Sequence, residues 1–100
     1  MTTRLDGLPA RRTDVVLVDD GERSMLVAPD NDGTHVLNPT ARAIWELCDG
    51  VTLPTEMVEA ICEVFVVTPE RAQSDVERTL EELSRVGLIA WSSAPGRHAP

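Results

Sequence analysis

The sequence predicts an α+β fold, in which a small three-stranded antiparallel sheet is followed by three helices. Short β-branched runs separated by turn residues occupy the first third of the chain, and three apolar patterns with helical spacing follow them. The length of 100 residues is enough for one small domain and not for two.

Three short strands are predicted at residues 14–18, 23–28 and 34–37. The spans 19–21 and 29–33 between them are rich in Asp, Asn and Gly, which favour tight turns. The spacing predicts an antiparallel meander. A sheet of this size is not stable alone, so we expect helices to cover one of its faces.

The first helix is predicted to begin at Asn38 and Pro39, because Asn caps free N–H groups and Pro is tolerated in the first turn. Gly50 is suited to the left-handed conformation that ends a helix. The apolar face with i, i+3, i+4, i+7 spacing comprises Ala41, Ile44, Trp45 and Cys48.

The second helix is predicted to begin near residues 52–54 and to end at the β-branched pair Val66-Val67. The link into this helix, residues 52–55, is about one residue longer than usual. Its apolar face comprises Val58, Ile61, Cys62 and Phe65.

The third helix is predicted to begin with Thr68 as cap, followed by Pro69. Glu81 and Arg85 have the spacing of a stabilising i,i+4 ion pair. Its apolar stripe comprises Ala72, Val76, Leu80 and Leu83.

Gly87 is suited to the end of the third helix, with Leu88 folding back onto its last turn. Residues 88–91 form either a short fourth strand or a seal on the core. Residues 1–12 and 92–100 have no periodicity, so we expect a flexible lead-in, a domain over 13–91 and a flexible tail. Three helices beside a small sheet are typical of a winged-helix-like fold.

The composition limits the function. Seventeen acidic residues against nine basic ones, all Arg, give a formal net charge of −8, which disfavours a general nucleic-acid binder. No apolar run is long enough to cross a bilayer or to form the core of a secretion signal. We therefore expect a small cytoplasmic module that binds another protein or peptide.

Residue patterns for catalysis are missing from the sequence. It has no nucleophile motif, no glycine-rich phosphate loop and no set of residues with metal-ligand spacing. The run at 30–33 has only the beginning of a calcium loop and lacks the closing Glu. Cys48 and Cys62 are expected to be structural. We expect no enzyme activity, no metal and no cofactor.

Two surfaces could bind a peptide. An edge of the small sheet offers unpaired backbone groups to an added strand. On the third helix, a row beside the apolar stripe is either one wall of a groove or an ordinary helix border. That row comprises Asp75, Thr79, Glu82 and Val86.

Four stretches of the chain resemble the PqqD family of small proteins. They are SMLVAPDNDG (24–33), HVLNPTARAIWELCDG (35–50), VEAICEVF (58–65) and TPERAQSDVERTLEELSRVGLI (68–89). The resemblance covers about residues 14–89. It implies that the chain is a recognition element for ribosomally made, post-translationally modified peptides.

The resemblance implies a leader-peptide-binding chaperone that presents a precursor peptide to a separate modifying enzyme. That enzyme would be a radical S-adenosylmethionine protein, or a leader peptidase acting with a cyclase. The leader would bind as an added strand against the third strand and face the third helix. The matching positions are His35, Val36, Leu37, Asn38, Ala72, Asp75, Val76, Thr79 and Glu82. Leu37 and Val76 either contact the leader or belong to the core. Acidic groups at the border, Asp75 and Glu82, would favour leaders with basic or hydroxyl-bearing residues, or at least disfavour acidic ones.

Two alternatives remain open at this point. A winged-helix DNA-binding transcription regulator would use Arg71, Arg78 and Arg85, which are seven residues apart and share one face of the third helix. A structural subunit of a larger enzyme would bind that enzyme without a leader. The chain could be a monomer or a dimer, because an exposed edge strand invites pairing.

Overall fold

The computed structural model describes residues 7–19, 23–30 and 34–93. It has the predicted sheet and three helices, and a second, two-stranded sheet in addition. In chain order the elements are β1 (Gly7–Arg11), β2 (Val16–Asp19), β3 (Ser24–Val27), β4 (Thr34–Leu37), α1 (Pro39–Glu46), α2 (Pro54–Val64), α3 (Pro69–Arg85) and β5 (Ile89–Ser93). The α+β class predicted from the sequence is therefore confirmed.

The three-stranded sheet is antiparallel throughout, with the order β2-β3-β4. Leu26 on the central strand lies opposite Leu17 on one side and His35 on the other. Leu26 is buried, as is Leu37, so this face of the sheet packs on the core. The predicted meander is confirmed, and β4 lies at one edge of the sheet.

The second sheet joins the two ends of the described chain. β1 pairs antiparallel with β5, so that Gly7 lies opposite Ser93 and Pro9 opposite Trp91. The expectation of a flexible lead-in is wrong for residues 7–11, and the expected tail begins too early, because β5 includes residues 92 and 93. The other parts of those two segments, 1–6 and 94–100, lie outside the described residues.

Long-range hydrogen bonds explain why residues 7–11 are ordered as a strand. The Pro9 carbonyl accepts from the Gly50 amide at 2.9 Å, and the Arg11 amide donates to the Cys48 carbonyl at 2.9 Å. Leu8 and Pro9 are both buried. The strand is therefore held by contacts with distant parts of the chain. The two alternatives predicted for residues 88–91 are both met, because β5 forms a strand and also covers the core.

The start of α1 is as predicted, and its end is earlier. The Asn38 side-chain oxygen accepts from the Ala41 amide at 2.7 Å and caps the helix. The helix ends at Glu46, so Cys48 lies beyond it, although its side chain is buried. Gly50 has the expected positive φ of 84°, but in the turn that follows rather than at the helix end.

In α2 the buried face differs from the predicted one. The buried side chains are Pro54, Met57 and Ile61. Phe65 lies just beyond the helix, and Val58, Cys62 and Phe65 are only partly buried. The longer link before α2 is ordered by Asp49, whose carboxylate accepts from the Val51 and Thr52 amides at 3.0 and 2.9 Å.

Both ends of α3 match the prediction. The Thr68 hydroxyl accepts from the Arg71 amide at 3.1 Å. At the other end Gly87 has a φ of 78°, and the Leu88 amide donates to the Leu83 carbonyl at 2.9 Å. The predicted pairing of Arg85 with Glu81 is wrong, because Arg85 donates to Glu82 at 2.5 Å instead.

The core lies between the three-stranded sheet and the helices. The predicted stripe of α3 is buried in it, together with Ile44 and Trp45 of α1. Both cysteines are free thiols. Across the described ranges, no helix has the length and apolar character that crossing a bilayer requires.

Candidate functional site

A groove of about 310 Å³ lies between β4, the beginning of α1 and the outer side of α3. It is lined by His35, Val36, Leu37, Asn38, Ala41, Arg78, Thr79 and Glu82. The four-residue run 35–38 supplies one wall and α3 supplies the other. This is the place where the sequence predicted a peptide site.

The strand that lines the groove is an edge strand. β4 pairs with β3 on one side, and no other described strand pairs with its second side. Backbone N–H and C=O groups of an edge strand point outward at alternate residues and can pair with an added strand. Val36 at the middle of β4 is 51% exposed. The groove therefore combines an open strand edge with a helical wall.

Six of the nine predicted residues line the groove. They are His35, Val36, Leu37, Asn38, Thr79 and Glu82. Ala72 and Val76 do not, because both side chains are fully buried in the core. Their predicted contact with a peptide is therefore corrected to a role in packing α3 against the other elements.

Asp75 is also absent from the groove wall. Its side chain is 10% exposed and lies between two arginines of the same helix. Arg71 Nε donates to its carboxylate at 3.2 Å, and Arg78 Nη2 donates at 2.8 Å. Asp75 thus fixes the position of Arg78 and does not face a ligand directly.

The sequence reasoning missed two groove residues, Ala41 and Arg78. Ala41 was assigned to the apolar face of α1, and it sits where that face meets the groove. Arg78 was considered only as part of a DNA-binding face. The position of Arg78 directly before Thr79 was a signal that it lies near the groove. Helical spacing, however, does not show in which direction a long side chain extends.

Among the described residues that line the groove, Glu82 alone is acidic. A hydrogen bond from Arg85 is the main cause that lowers the pKa of Glu82; desolvation opposes it, and the charges of Arg85 and His35 add to the lowering. His35 on β4 and Glu82 on α3 line the same groove, so β4 and α3 face each other across it.

The three arginines of α3 are all paired. Arg71 and Arg78 share Asp75, and Arg85 binds Glu82. Carboxylates lie within the same face as the guanidinium groups, which weakens its fit to a phosphate backbone. The described residues also contain no cluster of His, Cys, Asp and Glu that could hold a metal ion.

A larger cleft of about 760 Å³ lies between β1 and α1. The guanidinium groups of Arg11 and Arg12, which line this cleft, already have partners within the protein. Arg11 donates to the Trp45 and Glu46 carbonyls at 3.2 and 2.6 Å, at the end of α1. Arg12 pairs with Asp14 and Asp30. These contacts stabilise the fold, so the smaller groove is the better candidate.

Several solved structures share this fold. The chain is similar to TbiB1 in complex with the TbiA(beta) leader peptide, with 21% identity, a TM-score of 0.68, and coverage of 91% of this chain and 99% of that one. It is also similar to lasso peptide synthetase B1 complexed with the leader peptide, with 19% identity, a TM-score of 0.69, and coverage of 83% and 98%.

The third structure is the solution structure of the PqqD truncation of Methylobacterium extorquens PqqCD, a stand-alone recognition element for ribosomally synthesized and post-translationally modified peptides. Identity is 21%, the TM-score is 0.71, and the match covers 90% of this chain and 95% of that one. At these identities the likeness establishes the fold.

No curated protein sequence matches the chain. The family model described as coenzyme PQQ synthesis protein D (PqqD) matches residues 23–89, which include β3, β4 and all three helices. Both walls of the groove lie inside that match. The chain therefore belongs to the PqqD family.

Proposed function

We propose that this protein binds the leader segment of a ribosomally made precursor peptide and presents it to a separate modifying enzyme. The leader adds as a strand to the free edge of β4 and lies in the groove against α3. The observation that carries this proposal is the outer edge of β4, which pairs with no other described strand and forms one wall of a groove in a PqqD-family chain.

The physical basis is main-chain pairing combined with side-chain selection. Hydrogen bonds to a strand edge attract any extended segment, and contacts with alternate side chains distinguish one segment from another. Here α3 supplies those contacts through Arg78, Thr79 and Glu82. Two of the similar structures are complexes with a leader peptide, which supports the same role for this groove.

We infer that the partner is a radical S-adenosylmethionine protein, or a leader peptidase acting with a cyclase, and that the chain acts as an adaptor without its own catalysis. In this proposal the domain contributes affinity for the leader, and the enzyme contributes the chemistry on the attached core segment. The groove's modest volume suits one extended chain rather than a folded domain.

The test is a fluorescence-anisotropy titration with labelled leader peptides from precursor genes beside this one. We expect saturable binding that weakens at least about tenfold when a proline is placed in the middle of the leader, because proline removes a backbone donor. Binding that is unaffected by proline at every position of the leader would overturn strand addition.

A pair of variants locates the site. Thr79→Trp fills the groove from α3, and we expect leader affinity to fall by about tenfold or more, equal to about 1.4 kcal/mol. Thr55→Trp places the same bulk on an exposed position of α2, away from the groove, and is the matched control. Equal affinities for the two variants would place the leader elsewhere.

A further inference from the structure

We propose that the groove selects leader segments carrying a single acidic side chain, which Arg78 binds. This inference rests on the proposed leader binding and adds the chemistry of the segment. It reverses the sequence-based expectation that Asp75 and Glu82 would favour basic leaders. The reason is that both carboxylates are already paired with arginines of α3.

Arg78 is held in place while most of its side chain stays open to solvent. Its Nη2 donates to Asp75 at 2.8 Å, and that carboxylate is only 10% exposed. The Arg78 side chain is 67% exposed and lines the groove. A guanidinium group has five N–H donors, so one bond to Asp75 leaves others for a ligand. Holding it beforehand reduces the entropy lost on binding.

The local charge favours an anion at this point. Arg71 and Arg78 share the single carboxylate of Asp75, which leaves one positive charge in excess. Only Arg78 of the two lines the groove. The chain as a whole has a net charge of −8, but charges farther away than about 8 Å are largely screened at physiological salt. Glu81 lies beside Arg78 in a separate pocket, and Glu82 in the groove is paired with Arg85, so Arg78 is the cation that the groove lining itself offers to an anion.

Glu82 limits the segment to one acid. It lies four residues after Arg78 on α3, a rise of about 6 Å along the helix. Its charge is balanced by Arg85, which donates at 2.5 Å. A second acidic side chain beside the first would meet this paired carboxylate and no further arginine of the described groove lining, so it gains no partner there. The favoured segment therefore has an Asp or Glu flanked by uncharged or basic residues.

Two arginines of α3 provide a matched experiment. Arg71 and Arg78 both bind Asp75 and have the same exposed fraction, but Arg71 does not line the groove. Arg78→Gln and Arg71→Gln are titrated with labelled leader peptides in which each acidic residue is changed in turn to Gln. Circular dichroism checks that both variants are folded.

We expect Arg78→Gln to weaken leader binding by about threefold to tenfold. Arg71→Gln lowers the positive charge that the two arginines share but removes no donor from the groove lining, so we expect it to weaken binding clearly less than Arg78→Gln does. In the Arg78→Gln background, one acidic position of the leader should lose its effect, which identifies the partner of Arg78. Arg78→Glu should bind better to a leader with Lys at that position than to the original leader.

The outcomes separate this inference from the proposed function. Leader binding that is sensitive to proline but equally affected by Arg78→Gln and Arg71→Gln would overturn the acidic-residue proposal and leave strand addition standing. The acidic-residue proposal is equally overturned if every acidic position of the leader can be changed to Gln without loss of affinity. Absence of binding by all leaders to the unmodified protein would overturn both.

Discussion

The side chain of Cys48 is one of the most deeply buried in this small core. The side chain is fully buried just after α1, and its thiol donates to the Ile44 carbonyl at 3.3 Å. Burial raises the pKa of the Cys48 thiol to about 12; the charge of Arg11 lowers this pKa and the charge of Asp49 raises it, both by less than burial does. The thiol is therefore uncharged at neutral pH and serves packing, as the sequence predicted.

A first prediction follows for thiol reactivity. In a Cys62→Ala variant, Cys48 should react with a thiol reagent at pH 8 only as fast as the protein unfolds, because the thiolate is the reactive form. The same variant in urea provides the fully reactive control. Rapid labelling of the folded variant would contradict the burial of Cys48.

The same shift has a consequence for stability. The Cys48 thiol ionises less readily in the folded protein than in the unfolded chain, whose thiol has the ordinary pKa of about 9. The resulting contribution to the stability of the folded state is fully present below about pH 9 and is lost as the pH rises toward about 12. We expect the urea midpoint to fall over that window, and to fall less in a Cys48→Ala variant, whose overall stability is lower because of the cavity left behind.

Among the elements, α3 is the one whose limits the sequence predicted most completely. Its cap at Thr68, its proline and its terminal Gly87 are all local signals, and local signals do not depend on the rest of the fold. β1 is the opposite case. Gly7 and Pro9 are poor strand formers, and the contacts that hold β1 come from residues more than 35 positions away.

The groove was predictable only where local patterns in the sequence indicate it. The strand wall, His35 to Asn38, followed from the resemblance to the family, and Thr79 and Glu82 followed from helical spacing. Helical spacing placed Asp75 in the same row, but it could not show that the two arginines close over that carboxylate. A helical wheel gives the direction in which a Cβ atom points, but it does not give the conformation of a long side chain.

The end of α3 supports a prediction at the scale of one element. Gly87 has a φ of 78°, and a Cβ added there would meet no atom within 4 Å. Gly87→Ala should therefore lower the free energy of unfolding by about 1–2 kcal/mol through backbone strain alone. Gly87→Asn should cost less, because Asn tolerates this conformation better. Urea unfolding of the two variants measures the difference, and equal losses would contradict this account.

At the scale of the whole molecule, the described chain is closed by the pairing of β1 with β5. Leu8 on β1 is 3% exposed, and Ile89 on β5 is 6% exposed, so both strands contribute to burial. The Arg12 amide continues the connection by donating to the Leu88 carbonyl at 3.1 Å. The folded unit is therefore wider than the span 13–91 expected from the sequence.

Truncation tests this boundary. Removing residues 1–11 should lower the free energy of unfolding by at least about 2 kcal/mol, because it removes the buried Leu8 and Pro9 and leaves the edge of β5 unpaired. Removing only residues 1–6 keeps β1 and is the matched control. Identical urea midpoints for the two truncations would show that β1 adds nothing to stability.

The pairing of Gly7 with Ser93 brings the two ends of the described residues close together, separated by roughly the 5 Å spacing of adjacent strands. A few linking residues would join them, and new termini opened between β2 and β3 would leave every strand pair intact in a circularly permuted chain. An enzyme tethered by equal linkers before Gly7 or after Ser93 would start from the same position and reach the groove equally well. A fused enzyme could therefore be placed at either end of this domain.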